Sequence, residues 1–466
     1  MDEFRTNAHR VADWIAEYLE HPDRYPVLPR VKPGDIRAAL PGEAPEHGEP
    51  LETILADFER VIVPGLTHWN HPGFFAYFAI STSAPGILAE FLSAAVNQQA
   101  MLWRTSPAAT ELEEVALAWL RRLMGLPDAF EGVIYDTASI STLHALAAAR
   151  EAGVPGIRES GLAGRNDIRG VRVYCGEHAH SSVDKAVILL GLGHTGLRRI
   201  PADAEFRLRP ELLTAAIADD RAAGLLPIAV VATVGSTSTT SVDPVAAIAD
   251  VCARERLWLH VDAAYAGVAA MVPGCEWILD GVHRADSLVT NPHKWLFTPF
   301  DLSVLYCRRM DVVRQAFSLT PECLKTSEGE AGVKNLMDTG IQLGRRFRAL
   351  KLWMILRHFG AAGLRRHLAE HMRLARRFAD WVDRSDRFER VAPVPFSVVC
   401  FRLRGDADDA RHARVLDAVN ASGDVFLSHT KLDGRFAFRL AIGNINTTEE
   451  HVARAWELLN RAASSA

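Results

Sequence analysis

Long apolar runs are missing from this 466-residue chain. No uninterrupted stretch approaches the roughly 18 residues needed to span a bilayer, so a soluble protein is expected. A secretory signal is not expected either. Asp2 and Glu3 open the chain, and Val11, Trp14, Ile15, Tyr18 and Leu19 recur at helical spacing instead of forming a continuous run. Basic excess is also lacking: 52 Lys plus Arg stand against 57 Asp plus Glu, a formal net charge of −5, which argues against a nucleic-acid partner. Cysteine is scarce. The six (Cys175, Cys252, Cys275, Cys307, Cys323 and Cys400) show no CxxC spacing and read as reduced thiols of a cytoplasmic protein, not as bridges or zinc ligands. No internal repeat or low-complexity linker is present. What remains is 48% hydrophobic and 23% charged residues, the balance of an ordinary globular protein, in a length that suits two or three domains.

Three segments are expected. Residues 1–85 read as helices joined by connectors carrying Pro22, Pro26, Pro29 and Pro33. Their apolar stripe cannot bury itself alone and needs another domain or subunit. Over 86–350, helix-like stretches (Leu112–Met124, Thr142–Glu151, Pro244–Glu255) alternate with short β-type runs (Val171–Cys175, Ile228–Thr233, Leu257–Val261, Ser303–Cys307). This alternation predicts an α/β domain with a mainly parallel sheet covered by helices. Ligands of such sheets sit at the carboxyl ends of strands, so residues just after each run are the first candidates for a site. Residues 351–466 read as a smaller α+β domain. A helix over Phe347–Phe359 leads into it, strands lie near Ser397–Leu403 and Ala437–Ile442, and a closing helix spans Glu449–Ala462.

Two motifs mislead. Gly191-Leu-Gly193-His-Thr-Gly196 matches the dinucleotide GxGxxG string, which must follow a strand and open a helix. Here Ser181-Ser-Val-Asp184 has the form of a capping box, so the glycines fall at the end of a helix and read as its stop. His367-Leu-Ala-Glu370-His371 matches the zinc string HxxEH, but Arg365, Arg366 and Arg373 oppose a bound dication. A solvated helix face is expected there, and no metal.

Chemistry concentrates elsewhere. Asp262 ends one β-type run and Lys294, in Asn291-Pro-His293-Lys-Trp295, follows another, Ser287–Val289. Alone the two could be a buried salt bridge. Thr137-Ala138-Ser139 passes from the run Gly132–Tyr135 toward a helix, where free N–H groups and hydroxyls suit a phosphate or form an ordinary cap. His180 follows Val171–Cys175 and could be a plain helix-start histidine. A lysine, a carboxylate, a phosphate cradle and an aromatic ring, all at strand ends, together meet the needs of pyridoxal 5′-phosphate.

The chain resembles the pyridoxal-phosphate group II decarboxylases, most of all the aromatic-L-amino-acid decarboxylases. The matching motifs run nearly end to end: Thr67-His-Trp69, His71-Pro72, Phe74-Phe-Ala-Tyr77-Phe78, Ser106-Pro-Ala-Ala-Thr-Glu-Leu-Glu113, Ala179-His-Ser-Ser182, His260-Val-Asp-Ala-Ala-Tyr-Ala-Gly267, Asn291-Pro-His-Lys-Trp295, Gly344-Arg-Arg-Phe-Arg348 and Arg454-Ala-Trp-Glu457. The resemblance implies fold type I, the fold of aspartate aminotransferase, and decarboxylation of an aromatic L-amino acid to its amine. It implies that Lys294 holds the cofactor covalently, that Asp262 partners the pyridine nitrogen and that His180 stacks on the ring. Thr137, Ala138 and Ser139 match the phosphate turn, with Thr237, Ala264, Asn291 and His293 as further cofactor contacts. Trp69, Tyr77, Phe78, Ile80, Met101 and Gly344 match substrate-pocket positions. The family forms obligate homodimers with sites at the subunit interface, which implies a partner for the N-terminal helical segment.

One position departs from the family. A loop tyrosine usually delivers the proton to Cα, and the matching stretch here, Leu319-Thr-Pro-Glu-Cys323-Leu-Lys325, holds Cys323. Cys323, a water or His180 could replace it as acid; a thiol (about 8.5) is a stronger acid than a phenol (about 10). It is also shorter, and a general acid acts only within hydrogen-bond reach. The alternative outcome is oxidative: dioxygen and water are consumed and an aromatic aldehyde, CO2, ammonia and hydrogen peroxide are formed, as in the related aldehyde synthases. Ile80 stands where a catechol-handling relative has threonine, which favours phenylalanine, tyrosine or tryptophan over dopa.

Overall fold

The computed structural model describes residues 2–319 and 333–465. These form two compact units, one built from residues 80–375 and 392–400, the other from 1–79, 376–391 and 401–466.

The larger unit is organised by a seven-stranded sheet. Its strands are β2 (Glu131–Tyr135), β3 (Val171–Gly176), β4 (Leu197–Ile200), β5 (Leu226–Thr233), β6 (Trp258–Asp262), β7 (Ser287–Thr290) and β8 (Ser303–Cys307), counting Phe74–Phe75 of the other unit as β1. They lie in the order β2-β8-β7-β6-β5-β3-β4. From β7 to β4 all neighbours are parallel, and β8 alone runs antiparallel to both of its neighbours. β5 is buried at seven of its eight positions and β6, β7 and β8 throughout. That pattern belongs to a sheet covered on both faces, and it explains why these strands are continuous apolar runs without alternation. The helix Ala138–Gly153 packs on this sheet through Ala145, Leu146, Ala147, Ala148 and Ala149; side chains this small let its backbone approach the strands closely.

Several expectations shift. The helix expected near Thr142 begins at Ala138, because Thr137 adopts the extended conformation of an N-cap (φ −130°, ψ 160°). The run Ser303–Cys307 is a strand, but its reversed direction puts Ser303, not the residues after Cys307, at the end shared with Asp262. The expected capping box does not form. Ser181 makes no side-chain cap, the Ser182 hydroxyl bonds His180, and Asp184 pairs with Arg199 at 2.7 Å. The glycine stop does form: Gly191 (φ 73°) and Gly193 (φ 72°) take the left-handed conformation after the helix Ser182–Leu189. The helix expected over Phe347–Phe359 starts at Ala349 and is interrupted at Gly360 (φ 60°, ψ 171°), after which helical structure continues to Asp383.

A second sheet has the order β1-β11-β12-β10-β9, with β9 Phe388–Arg390, β10 Val398–Leu403, β11 Phe426–Leu432 and β12 Arg435–Ala441. The N-terminal segment is therefore not wholly helical, since Phe74–Phe75 pairs in parallel with Phe426–Leu427. The aromatic core of this smaller unit includes Phe378, Phe388, Phe401 and Trp456, whose rings meet edge-on or tilted at 5.2–5.8 Å. Among the described residues, no helix is long and apolar enough to cross a membrane.

Candidate active site

The register of the large sheet aligns the candidate residues along one edge. Tyr135 at the end of β2 faces Ser303, Thr290 at the end of β7 faces Val304, Val289 faces Asp262, and Asp262 faces Thr233 at the end of β5. The segments following these strands carry Thr137, Asn291–Lys294, Ala264 and Thr237. Two backbone bonds tie the central pair of segments: Asn291 N–H donates to the Ala264 carbonyl (3.0 Å), and Ala263 N–H to that of Val289 (3.0 Å). Lys294 sits on the short helix Pro292–Trp295, whose tight turn is closed by its own N–H donating to the Asn291 carbonyl (2.9 Å).

Each group has a defined environment. Asp262 is buried, and its Oδ1 accepts the Ala264 N–H (3.1 Å). His180 Nδ1 accepts the Ser182 N–H (3.1 Å) and lies 2.9 Å from the Ser182 hydroxyl, so the proton of the neutral ring resides on Nε2. Surrounding protein lowers the His180 pKa by desolvation, although the side chain keeps an exposed edge. Asp262 opposes that shift and Lys294 adds to it, which places both within electrostatic reach of His180. His293 is buried and its Nδ1 accepts the Leu302 N–H (2.9 Å). Burial first, then the Lys294 charge, push its pKa down to about 3. The ring is thus a neutral brace for the lysine turn. Thr137 turns its hydroxyl to Asp136 Oδ1 (3.1 Å). As the first two helical residues, Ala138 and Ser139 have N–H groups without an intrahelical acceptor. Thr237 is exposed in the loop after β5, which is held by Ser236, Thr239 and Ser241 side chains at 2.8–3.0 Å.

Sequence reasoning missed the residues that position these groups. Trp295 stacks on Tyr265 (4.8 Å, 7° between planes), and its indole N–H donates to His371 Nδ1 (2.9 Å). His371, which the zinc-like string singled out, therefore buttresses the lysine turn, while Glu370 pairs with Arg373 at 2.8 Å. Arg345 and Glu113 form a buried pair at 2.8 Å, and both also hold the Ile134 backbone in β2. Their motifs were visible in the sequence, but neither local spacing nor periodicity signals a contact between positions so far apart. Ser182, by contrast, lies two residues from His180 and could have been found from that spacing.

Among the substrate-pocket candidates, Trp69 and Tyr77 lie in the smaller unit with their rings stacked at 6.0 Å. Phe78, also there, has the Arg439 guanidinium over its ring at 4.6 Å. Ile80 and Met101 are half-buried in the larger unit, and Gly344 is exposed with open space where a side chain would stand. Cys323 lies outside the described residues.

Whether these residues suit a pyridine-ring cofactor bearing a phosphate can be judged from one buried atom. Asn291 is almost fully buried, yet its Oδ1 has no hydrogen-bond partner among the described residues. A buried acceptor left unpaired is destabilising by about 1–3 kcal/mol unless something else satisfies it. That orphan at the strand ends, beside a buried carboxylate, a lysine and an open helix N-terminus, fits such a group. The arrangement is that of a fold type I enzyme.

Comparison with known proteins agrees. Residues 33–404 match the pyridoxal-dependent decarboxylase conserved domain. The chain is 40% identical to phenylacetaldehyde synthase of Arabidopsis thaliana over 99% of its own length and 96% of that protein's. It is 40% identical to tyrosine decarboxylase 2 of Narcissus pseudonarcissus, covering 99% and 94%. The crystal structure of Oryza sativa TDC with PLP and tryptamine superposes with a TM-score of 0.96 at 39% identity, covering 100% of this chain and 98% of that one. The chain belongs to the pyridoxal-dependent decarboxylase family, and its cofactor is pyridoxal 5′-phosphate.

Proposed function

We propose that this enzyme decarboxylates an aromatic L-amino acid (phenylalanine, tyrosine, tryptophan or dopa) to the amine and CO2. It works in the cytoplasm as a homodimer with the active site at the subunit interface. Residues 1–85 serve as the dimerisation segment, 86–350 as the cofactor domain and 351–466 as the C-terminal α+β domain. The observation that carries the reading is that both Asp262 and Lys294 act electrostatically on His180, all three at or just after the carboxyl ends of strands. Relatives named for tyrosine decarboxylation and phenylacetaldehyde synthesis support the aromatic substrate. The helix Asp2–Glu20 supports the dimer: it contains Val11, Trp14 and Ile15 yet has no buried residue in the single chain.

In this reading Lys294 binds the cofactor covalently, Asp262 holds a proton on its ring nitrogen, and Ala138 and Ser139 N–H groups hold its phosphate. When bound, the cofactor supplies an electron sink for the pair left on Cα as CO2 departs. Thr137, Thr237, Ala264, Asn291 and His293 complete its seat, and the His180 ring lies against its face. Ile80, Met101 and Gly344 contribute to the seat for the substrate side chain, and Trp69, Tyr77 and Phe78 are the aromatic candidates of the smaller unit. By fixing which bond at Cα is held for cleavage, these residues would select decarboxylation. Cys323 delivers the proton to Cα.

The test is a panel of phenylalanine, tyrosine, tryptophan, dopa and glutamate with purified holoenzyme, reading amine and aldehyde by mass and peroxide by a coupled assay. Amine and CO2 in equal amounts from an aromatic substrate are expected. Preference for glutamate overturns the substrate class, and equimolar aldehyde and peroxide replaces the proposal by the oxidative alternative. Cys323→Tyr should leave amine output at least unchanged.

A further inference from the structure

The opposite end of the large sheet, where β5, β6 and β7 begin and β8 ends, contains a cavity of about 350 Å3. Its floor is apolar, with Ile228 and Trp258, and its rim carries Arg256, Arg284, Arg308 and Arg309. Two carboxylates answer these four guanidiniums. Asp250 takes Arg284 at 2.7 Å, and Asp286 lies on the cavity wall with its Oδ2 accepting the Leu259 N–H (2.9 Å). Asp286 feels Arg308 and Arg309, while burial works against its charge. Arg308 spends its donors on carbonyl oxygens, Ala285 at 2.6 Å and Arg284 at 2.9 Å, which fixes its direction without neutralising it. Arg309 lies over the Trp258 ring at 5.3 Å. Neither Arg309 nor Arg256 has an ion pair among the described residues.

Like charges gathered on one concave, low-dielectric surface repel one another and focus a positive potential into it. Arginine forks held this way match the oxygens of a phosphoryl group, which they bind through paired N–H donors. The volume lies at the small end of ligand cavities, too small for a macromolecular segment, and the chain's net charge of −5 opposes a nucleic acid. We propose that this cavity is a binding site for a small phosphoryl anion, separate from the cofactor's own phosphate seat and independent of which amino acid the enzyme decarboxylates.

The experiment is isothermal titration of the pyridoxal-phosphate-loaded enzyme with inorganic pyrophosphate, and in a parallel arm with ADP, at constant ionic strength. Loading keeps the cofactor seat filled. One saturable site per chain is expected, weakened at least tenfold in Arg256→Ala/Arg309→Ala and partly restored in Arg256→Lys/Arg309→Lys. Tighter binding of ADP assigns a nucleotide as the source, and equal binding a free diphosphate. Should the double variant not fold, Arg256→Glu alone, at an exposed residue, must produce the loss. The proposal is overturned if no saturable heat appears, if sulfate binds equally well, or if the folded variants bind pyrophosphate as tightly as the parent.

Discussion

Asp262 and His180 are each held in place by a hydrogen bond from a neighbouring backbone N–H. With Oδ1 engaged by the Ala264 N–H, the Asp262 carboxylate is oriented before any cofactor arrives, and preorganised charge of this kind is worth most inside a protein. Asp262→Asn keeps the shape and removes the charge. We expect the holoenzyme still to form, with kcat lower by about 10²-fold or more; a loss under fivefold would show that this carboxylate is not the ring-nitrogen partner. His180 carries the second residue-scale prediction. Its pKa lies below the usual 6.5 because burial disfavours the cation, and its Nδ1 accepts from Ser182, so protonation there breaks that bond. The neutral ring is therefore the working form. The acid limb of kcat/KM should fall below pH 6.5 and disappear in His180→Gln. An unchanged limb in that variant would assign the titration to another group.

At the scale of elements, the lysine turn is the piece to test. The Trp295 indole N–H and His371 Nδ1 satisfy each other in a buried setting at 2.9 Å. His371→Leu leaves the indole donor unpaired, which costs about 1–3 kcal/mol. Urea unfolding of the holoenzyme should show a lower midpoint with an unchanged slope, and kcat should fall as Lys294 loses its backing. If EDTA reproduced the effect in the parent protein, a metal at the HxxEH string would be the better reading. This pair also shows where sequence legibility ends. Asp262 and Lys294 stood out because Asp262 closes an apolar strand run and Lys294 follows the next one, and strand ends in parallel sheets are where ligands sit. The sheet itself was findable because double-sided burial writes itself as unbroken runs such as Leu226–Thr233. What local pattern could not carry was long-range pairing: His371 with Trp295, Arg345 with Glu113, the reversed direction of β8, and the recruitment of Phe74–Phe75 into a second sheet. Those follow from topology, and nothing within a ten-residue window encodes them.

Across the whole molecule, stability should depend on pH through buried histidines. His71 and His260 are pushed down to about 4 and His144 and His293 to about 3, in each case chiefly by burial. All four are almost fully buried. Unfolded, each regains a pKa near 6.5, so between that value and 3–4 the unfolded chain binds more protons than the folded one. Stability is then full above pH 6.5 and declines as pH falls, by up to about 1.4 kcal/mol per pH unit for each histidine. Asp243 opposes this. Burial raises its carboxyl to about 6, even though it accepts N–H bonds from Leu208 and Thr233; the folded form holds its proton over roughly pH 4–6, which favours folding on the acid side. Asp286 shifts in the same direction. Four histidines against two carboxyls leave the balance with the histidines, so the thermal midpoint of the holoenzyme should drop steadily from pH 7 to pH 5. His144 offers the cleanest check, because its Nδ1 has no hydrogen-bond partner among the described residues and its shift is due to burial. Replacing it in His144→Gln removes one titrating group, and the slope of midpoint against pH should become shallower below pH 6.5 while the value at pH 8 changes only by the packing difference. A slope identical to the parent's would mean that some other group sets the acid sensitivity of the fold.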